Sequence, residues 1–410
     1  MLKKTIVVLG MLSVFTACQN DENPVSPKTR KDIVLTPAEL DMTDVGTDFA
    51  FRFFNQICKA ETEKPNLFVS PLSASLCLSM VANGANANTL EEMKSALGFS
   101  DYSVEAINNY NRKLVNALLD LDNTTRLGIA NSIWIKQGFN VLPAFTAVNR
   151  EMYDAEVREV DFASSATVDA INRWCADKTN NCIKEVLDEI PEDAQMYLLN
   201  ALYFKGTWKE PFKKADTKSE YFTDASGNKS TVSMMNLREE HFMYTQNDYF
   251  SIAELPYGNE AFSMVVLLPA EGKTLEDCLP QLTKKQWEEW SDALHSQTLN
   301  LKLPKFELGY KKSLEKDMQA LGMKDAFDSL KADFSKTSET PLFVSLLEQT
   351  AYVNVNEEGT EAAAVTIAGD GATAVGPETP VDFYVNRSFI FFIREKSTGT
   401  ILFAGRVTKL

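Results

Sequence analysis

The run Glu357-Glu358-Gly359-Thr360-Glu361-Ala362-Ala363-Ala364-Val365-Thr366 decides what kind of fold this chain can hold. A strand-like segment ends at Asn356, a glycine follows as a hinge, and small residues continue with neither a turn signal nor a hydrophobic face. Thr, Val and Ala are small enough to slot between existing strands without overpacking the core beneath. Strand alternation would point Thr360, Ala362, Ala364 and Thr366 inward and Glu361, Ala363 and Val365 outward. The early charge, Glu361, falls on the outward set. A flexible Gly/Ser linker would not need that parity, and a merely variable surface loop is the plainer alternative. Downstream, Ile367 to Val381 is rich in Gly, Ala and Thr and suits exposure.

Outward from this run, the chain alternates poorly and buries much. Strand-like runs cover Gly128 to Ile135, Met196 to Phe204, Phe250 to Leu255, Phe262 to Leu268 and Leu299 to Leu303. Phe343 to Val355, Phe389 to Arg394 and Ile401 to Val407 close the chain, and several of these runs are apolar on both faces, as in the middle of a large sheet. Helices come earlier. Phe49, Phe53, Phe54 and Ile57 recur at helical spacing; Ser70 caps a second helix with Pro71 in its first turn. Thr89-Leu90-Glu91-Glu92 reads as a capping box opening a helix that stops at Gly98. Helices mainly first and strands mainly later predict an α+β domain spanning 37–410, with no internal linker before about residue 366.

The 410 residues carry a formal net charge of -16, which argues against nucleic acid or an anionic membrane face as the main partner. Lys3 and Lys4 precede an apolar run, Thr5 to Phe15, of signal-peptide length. It ends at Phe15-Thr16-Ala17-Cys18, similar to a bacterial lipobox apart from Phe15; ordinary signal-peptidase cleavage is the alternative. The expected organisation is a signal peptide over 1–17 and a lipidated Cys18 with a flexible tether over 18–36. Gln19-Asn20-Asp21-Glu22 is similar to the export tag of surface lipoproteins, so the expected location is the bacterial outer membrane, exposed at the cell surface. Buried lipid methylenes at ~0.8 kcal/mol each would anchor the chain without a membrane-spanning helix. Cys58, Cys77, Cys175, Cys182 and Cys278 have no metal-type spacing. On one continuous helix Cys175 and Cys182 would stand about 10.5 Å apart, too far to bridge, although Asn180-Asn181 could end that helix. No metal or cofactor is expected.

The residues from 45 to 410 resemble the serpins. Asn66-Leu67-Phe68-Val69-Ser70-Pro71-Leu72-Ser73 looks like their early strand-to-helix signature, and Leu199 to Trp208 like their central-sheet strand and turn. Glu254-Leu255-Pro256-Tyr257, Phe262 to Pro269, Leu303-Pro304-Lys305-Phe306, Leu321-Gly322-Met323, Phe389 to Ile393 and Leu402 to Val407 follow in the family's order. The resemblance implies helices packed around a large central mixed sheet plus two smaller sheets, with an exposed reactive-centre loop near 357–381. It implies a monomeric suicide inhibitor, not an enzyme. A protease cuts the loop, an acyl-enzyme forms, and the hinge Glu357, Glu358, Gly359, Thr360, Glu361, Ala362, Ala363, Ala364 inserts as a new strand.

Counted from Glu357, the family's cut bond falls at Thr373–Ala374. The loop is somewhat longer than usual, which leaves Val375–Gly376 as the runner-up. Small residues there suit an elastase-like or subtilisin-like serine protease, with a papain-like cysteine protease also open. The absence of Arg and Lys between Thr360 and Val385 disfavours a trypsin-like one. By parity Asp370 would point inward on insertion, at a cost unless it reaches solvent. The resemblance also carries over an ion pair of Glu357 with Lys305 beside Trp208 (the breach), and a polar cluster of Ser73, Asn200 and Gln349 (the shutter), Gln349 standing where a His is frequent. Two rivals stand. Ser313 and Lys316 match an S-x-x-K hydrolase motif, but its companion motifs are missing and His241 and His295, the only histidines, lie in no catalytic pattern. A non-inhibitory serpin acting as a binding module is the other; Thr360 and the alanines disfavour it.

Overall fold

The computed structural model describes residues 28–191, 194–360 and 379–410. In chain order its strands are β1 (Asn66–Val69), β2 (Thr125–Lys136), β3 (Glu156–Val160), β4 (Met196–Thr207) and β5 (Lys218–Thr223). Then come β6 (Lys229–Gln246), β7 (Phe250–Tyr257), β8 (Phe262–Pro269), β9 (His295–Pro304) and β10 (Phe306–Ser313). The last are β11 (Glu348–Asn356), β12 (Gly359–Thr360), β13 (Val381–Tyr384), β14 (Phe389–Glu395) and β15 (Ile401–Val407). The helices used below are α1 (Pro37–Ala60), α2 (Pro71–Ala82), α3 (Ala87–Leu97), α4 (Val104–Asp120), α5 (Pro143–Tyr153) and α6 (Ser165–Lys178).

A six-stranded mixed sheet runs β10-β11-β12-β4-β2-β3, antiparallel except for β2 with β3. The expected pair of smaller sheets is instead one continuous nine-stranded sheet, β1-β15-β14-β8-β7-β6-β9-β13 with β5 on β6. The cause is β6, whose 18 residues serve β5 in one half and β7 in the other. Its register with β9 slips between Leu237 and Glu240, where Glu239 has φ 56°, a bulge that turns the strand.

α2 lies between the sheets, against β4 and β15. Of its residues only Ser75 escapes full burial, the condition that an all-round apolar helix requires. Ser70 caps it, accepting from the Ser73 N–H, with Pro71 in the first turn as expected. β14 and β15 are buried at every position, Arg394, Glu395 and Arg406 included, which explains the apolar runs 389–393 and 401–404. A second, smaller core packs α6 through Ile171, Trp174 and Cys175 onto Trp134, Tyr197 and Ala201 of the six-stranded sheet.

Several expectations need correction. α3 starts at Ala87 rather than Leu90, with Asn86 at the N-cap position but no side-chain cap bond, and the two ends of the supposed capping box serve tertiary partners. The Thr89 hydroxyl accepts from the Asp333 N–H, and Glu92 accepts from Lys324 and Asp325. Residues 343–347 are not strand: β10 ends at Ser313, so the ladder with β11 begins only at Glu348. The tether ends earlier than residue 36. Lys28 is held by Asn123, Asp120 and Asn259, and the Ile33 N–H donates to Ser397. Thr36 and Glu39 form the capping box of α1. Asn180 and Asn181 take positive φ just past α6, and Cys58, Cys77, Cys175, Cys182 and Cys278 form no disulfide. Cys18 and the expected signal peptide over 1–17 lie outside the described residues.

Candidate functional site

The chain leaves β11 at Asn356, turns through Glu357 and Glu358, and re-enters the sheet as β12. Gly359 and Thr360 pair antiparallel with Asn356 and Val355 of β11 on one side and with Thr207 and Gly206 of β4 on the other. Gly359 sits at φ 148°, and a Cβ there would stand 1.9 Å from the Gly206 carbonyl oxygen, so only glycine lets the backbone this close. This start of the loop is therefore not exposed. Gly359 and Thr360 are buried between the two ladders, and Glu357 is buried in the turn before them.

Glu357 is fixed from three directions. Lys305 Nζ stands 2.8 Å from its carboxylate, Thr217 Oγ1 donates to it at 2.9 Å, and its own carbonyl accepts from Phe212. Burial pushes the Glu357 carboxyl up, but Lys305, the residue's own backbone N–H and Thr217 together hold it below the usual range. Glu358 points the other way and pairs with Lys214 at 2.7 Å. Trp208 grips the turn by its backbone: its N–H donates to the Glu358 carbonyl and its indole Nε1 to the Asn356 carbonyl at 2.9 Å. The Trp208 ring stacks on Tyr257 with centroids 4.4 Å apart, and the Tyr257 hydroxyl shares a 2.7 Å hydrogen bond with Thr360 Oγ1. Burial pushes the Tyr257 phenol up, keeping it neutral.

Among the described residues no ladder joins β4 to β11 below β12. Residues of both strands line a cavity of about 50 Å³ that includes Ser73, Asn200 and Gln349, so the structure brings these three to one place. Their hydrogen bonds run apart, however. Gln349 exchanges two 2.8 Å bonds with the Ser70 backbone, whereas Asn200 donates to Asn131, its cross-strand neighbour on β2. Asn131 in turn donates to the Tyr153 carbonyl at the end of α5. Ser73 contributes its N–H to the Ser70 cap. A larger cavity of about 340 Å³ follows toward the start of β4, between Met196 and Leu198 and residues 340–347.

Thr217, Lys214, Tyr257, Ser70 and Asn131 were not singled out from sequence as site residues. Only Ser70, as a cap, and Tyr257, inside a motif, carried any local signal. Glu361 to Ala364, Thr373, Ala374, Val375 and Gly376 lie outside the described residues. Ser313 and Lys316 are both exposed at the end of β10 and beyond, and neither lines either cavity.

Thr360 thus pairs in the six-stranded sheet and Val381 in the nine-stranded one, both within a single α+β domain. The chain belongs to the serpin (serine protease inhibitor) family, whose model matches residues 44–410. It is 32% identical over 380 residues to glia-derived nexin of Rattus norvegicus, covering 90% of this chain and 94% of the relative. Leukocyte elastase inhibitor of Homo sapiens is 33% identical over 377 residues, covering 89% and 98%. Among solved structures, the thermophilic serpin tengpin in its native state superposes with a TM-score of 0.82 at 32% identity, covering 94% of this chain and 98% of that one. Serpins are named for protease inhibition, as is the leukocyte elastase inhibitor above, rather than for catalysis.

Proposed function

We propose that this serpin is a suicide inhibitor of proteases, held at the outer surface of a bacterial cell by a lipid on Cys18. The observation that carries the reading is β12, a hinge already in register between β4 and β11. Each further hinge residue would meet the preceding residue of both strands. Ala362 would then face Phe204 and Val353, Ala364 would face Leu202 and Ala351, and Thr366 would reach Asn200 and Gln349. Alanines thus meet bulky or buried neighbours, and a threonine meets the two amides that can bond it. Asp370 would come beside Met196 and Ser345 at the larger cavity, where insertion ends.

In this scheme the protease nucleophile attacks the Thr373 carbonyl carbon, the peptide bond breaks, and the new amine leaves on Ala374. Insertion then competes with hydrolysis of the acyl-enzyme. Lys305, Trp208 and Glu357 hold the entry, and Ser73, Asn200 and Gln349 line the path. Shallow apolar specificity around Ala372 to Val375 points to an elastase-like or subtilisin-like serine protease, and one relative is named as an inhibitor of leukocyte elastase. The test is incubation with elastase-, subtilisin-, trypsin- and papain-like enzymes. Detergent-stable complexes with the first two are expected, together with a released peptide beginning at Ala374. A peptide beginning at Gly376 would move the bond, and a loop-cleaved protein that melts no higher than the intact one would refute insertion.

A further inference from the structure

We propose that Tyr257 is a positioning residue for inhibition: its hydroxyl latches Thr360 and seats the first two hinge residues in the sheet before any protease acts. The inference rests on the insertion mechanism above. Among the described residues β12 makes two register pairs with each neighbour. Side chains add to that ladder. Tyr257 is fully buried, stacked on Trp208 at 11° between planes, and its ring lies directly on Gly206, where a Cβ would come within 2.7 Å of it. Gly206 is the β4 partner of Thr360, so the ring reaches past that glycine and puts its hydroxyl on the Thr360 side chain.

Trp208, the other half of the stack, bonds the Asn356 carbonyl at the start of the same turn. The aromatic pair therefore clasps the hinge turn at both ends. Thr360 is 2% exposed, and its hydroxyl spends its bond on Tyr257. A seated hinge begins insertion with its first step already taken. Without the latch, that step has to be made while the acyl-enzyme is hydrolysing.

Tyr257→Phe keeps the ring and its stack and removes only the hydroxyl; Thr360→Val removes the same bond from the other side; Thr360→Ser retains it. Two readouts separate the latch from inhibition itself. A glutamate-specific endopeptidase acting on the uncleaved protein reports exposure of the bond after Glu358, and titration against an elastase-like enzyme reports inhibitor consumed per protease trapped. Both quantities are expected to rise about fivefold in Tyr257→Phe and in Thr360→Val, the effect of one ordinary hydrogen bond. The double variant should add nothing further, and Thr360→Ser should match the parent. Unchanged cutting after Glu358, additive effects, or an equally loosened Thr360→Ser would overturn the latch. If the parent traps no protease, the insertion reading fails, while cutting after Glu358 still decides whether the hinge is latched.

Discussion

Replacing Glu357 by Gln should cost less stability than replacing its partner, Lys305, by Met. The Glu357 side chain is 6% exposed and that of Lys305 is 40% exposed. Gln keeps the shape and one acceptor for Thr217, and Lys305, left alone, rehydrates. The loss is then one charged hydrogen bond, about 2 kcal/mol. Lys305→Met strands a carboxylate that water hardly reaches, so the cost rises to about 3 kcal/mol or more. pH adds a second check. The folded pKa of Glu357 lies below its unfolded value of 4.5, so the stabilisation is complete above that pH and is lost as pH falls through the folded value. The gap between parent and Glu357→Gln should therefore be full at pH 7 and shrink below pH 4.5. Urea unfolding of the uncleaved protein across that range measures it. A Glu357→Gln variant as stable as the parent at pH 7, a gap that widens on acidification, or a Lys305→Met variant more stable than Glu357→Gln would refute the reasoning.

Arg394→Met should destabilise by about 3 kcal/mol in the same assay, because it leaves Glu254, 3% exposed, with only Lys396 at 3.5 Å as a cation. Thr366→Val should raise the inhibitor consumed per protease trapped, since the inserted residue would offer Asn200 and Gln349 a methyl group; an unchanged ratio would mean that the register does not continue that far. Alkylation of the folded protein at pH 7.5, followed by peptide mapping, should modify Cys182 ahead of the other four described cysteines. Cys58, Cys77, Cys175 and Cys278 are buried, and burial pushes the first three thiols to about 12 and the last to about 11.

Strands apolar on both faces were legible because their burial is written into consecutive residues: β15 runs over Ile401–Val407 as expected, and β14 and β8 each extend one residue beyond the expected run. β6 was not, since Lys229 to Gln246 is largely polar and its pairing with β5, β7 and β9 is entirely long-range. The supposed capping box at Thr89 was misread for a related reason. A Thr and a Glu three residues apart favour a local cap, and only the packed structure offers Asp333, Lys324 and Asp325 as better partners. Asn200 and Gln349 line one cavity, yet their bonds go to Asn131 and Ser70, which no spacing reveals.

From the sequence alone, 357–366 is expected to be able to join a sheet, because side-chain size and strand parity are local properties. Where its first residues join was decided by the tertiary structure. β4 and β11 stand on either side of Gly359 and Thr360 only because α2, β2 and β10 place them there, and Tyr257 reaches Thr360 across a sequence separation of 103 residues. Composition can say that a strand would fit; only the fold supplies the two edges that receive it.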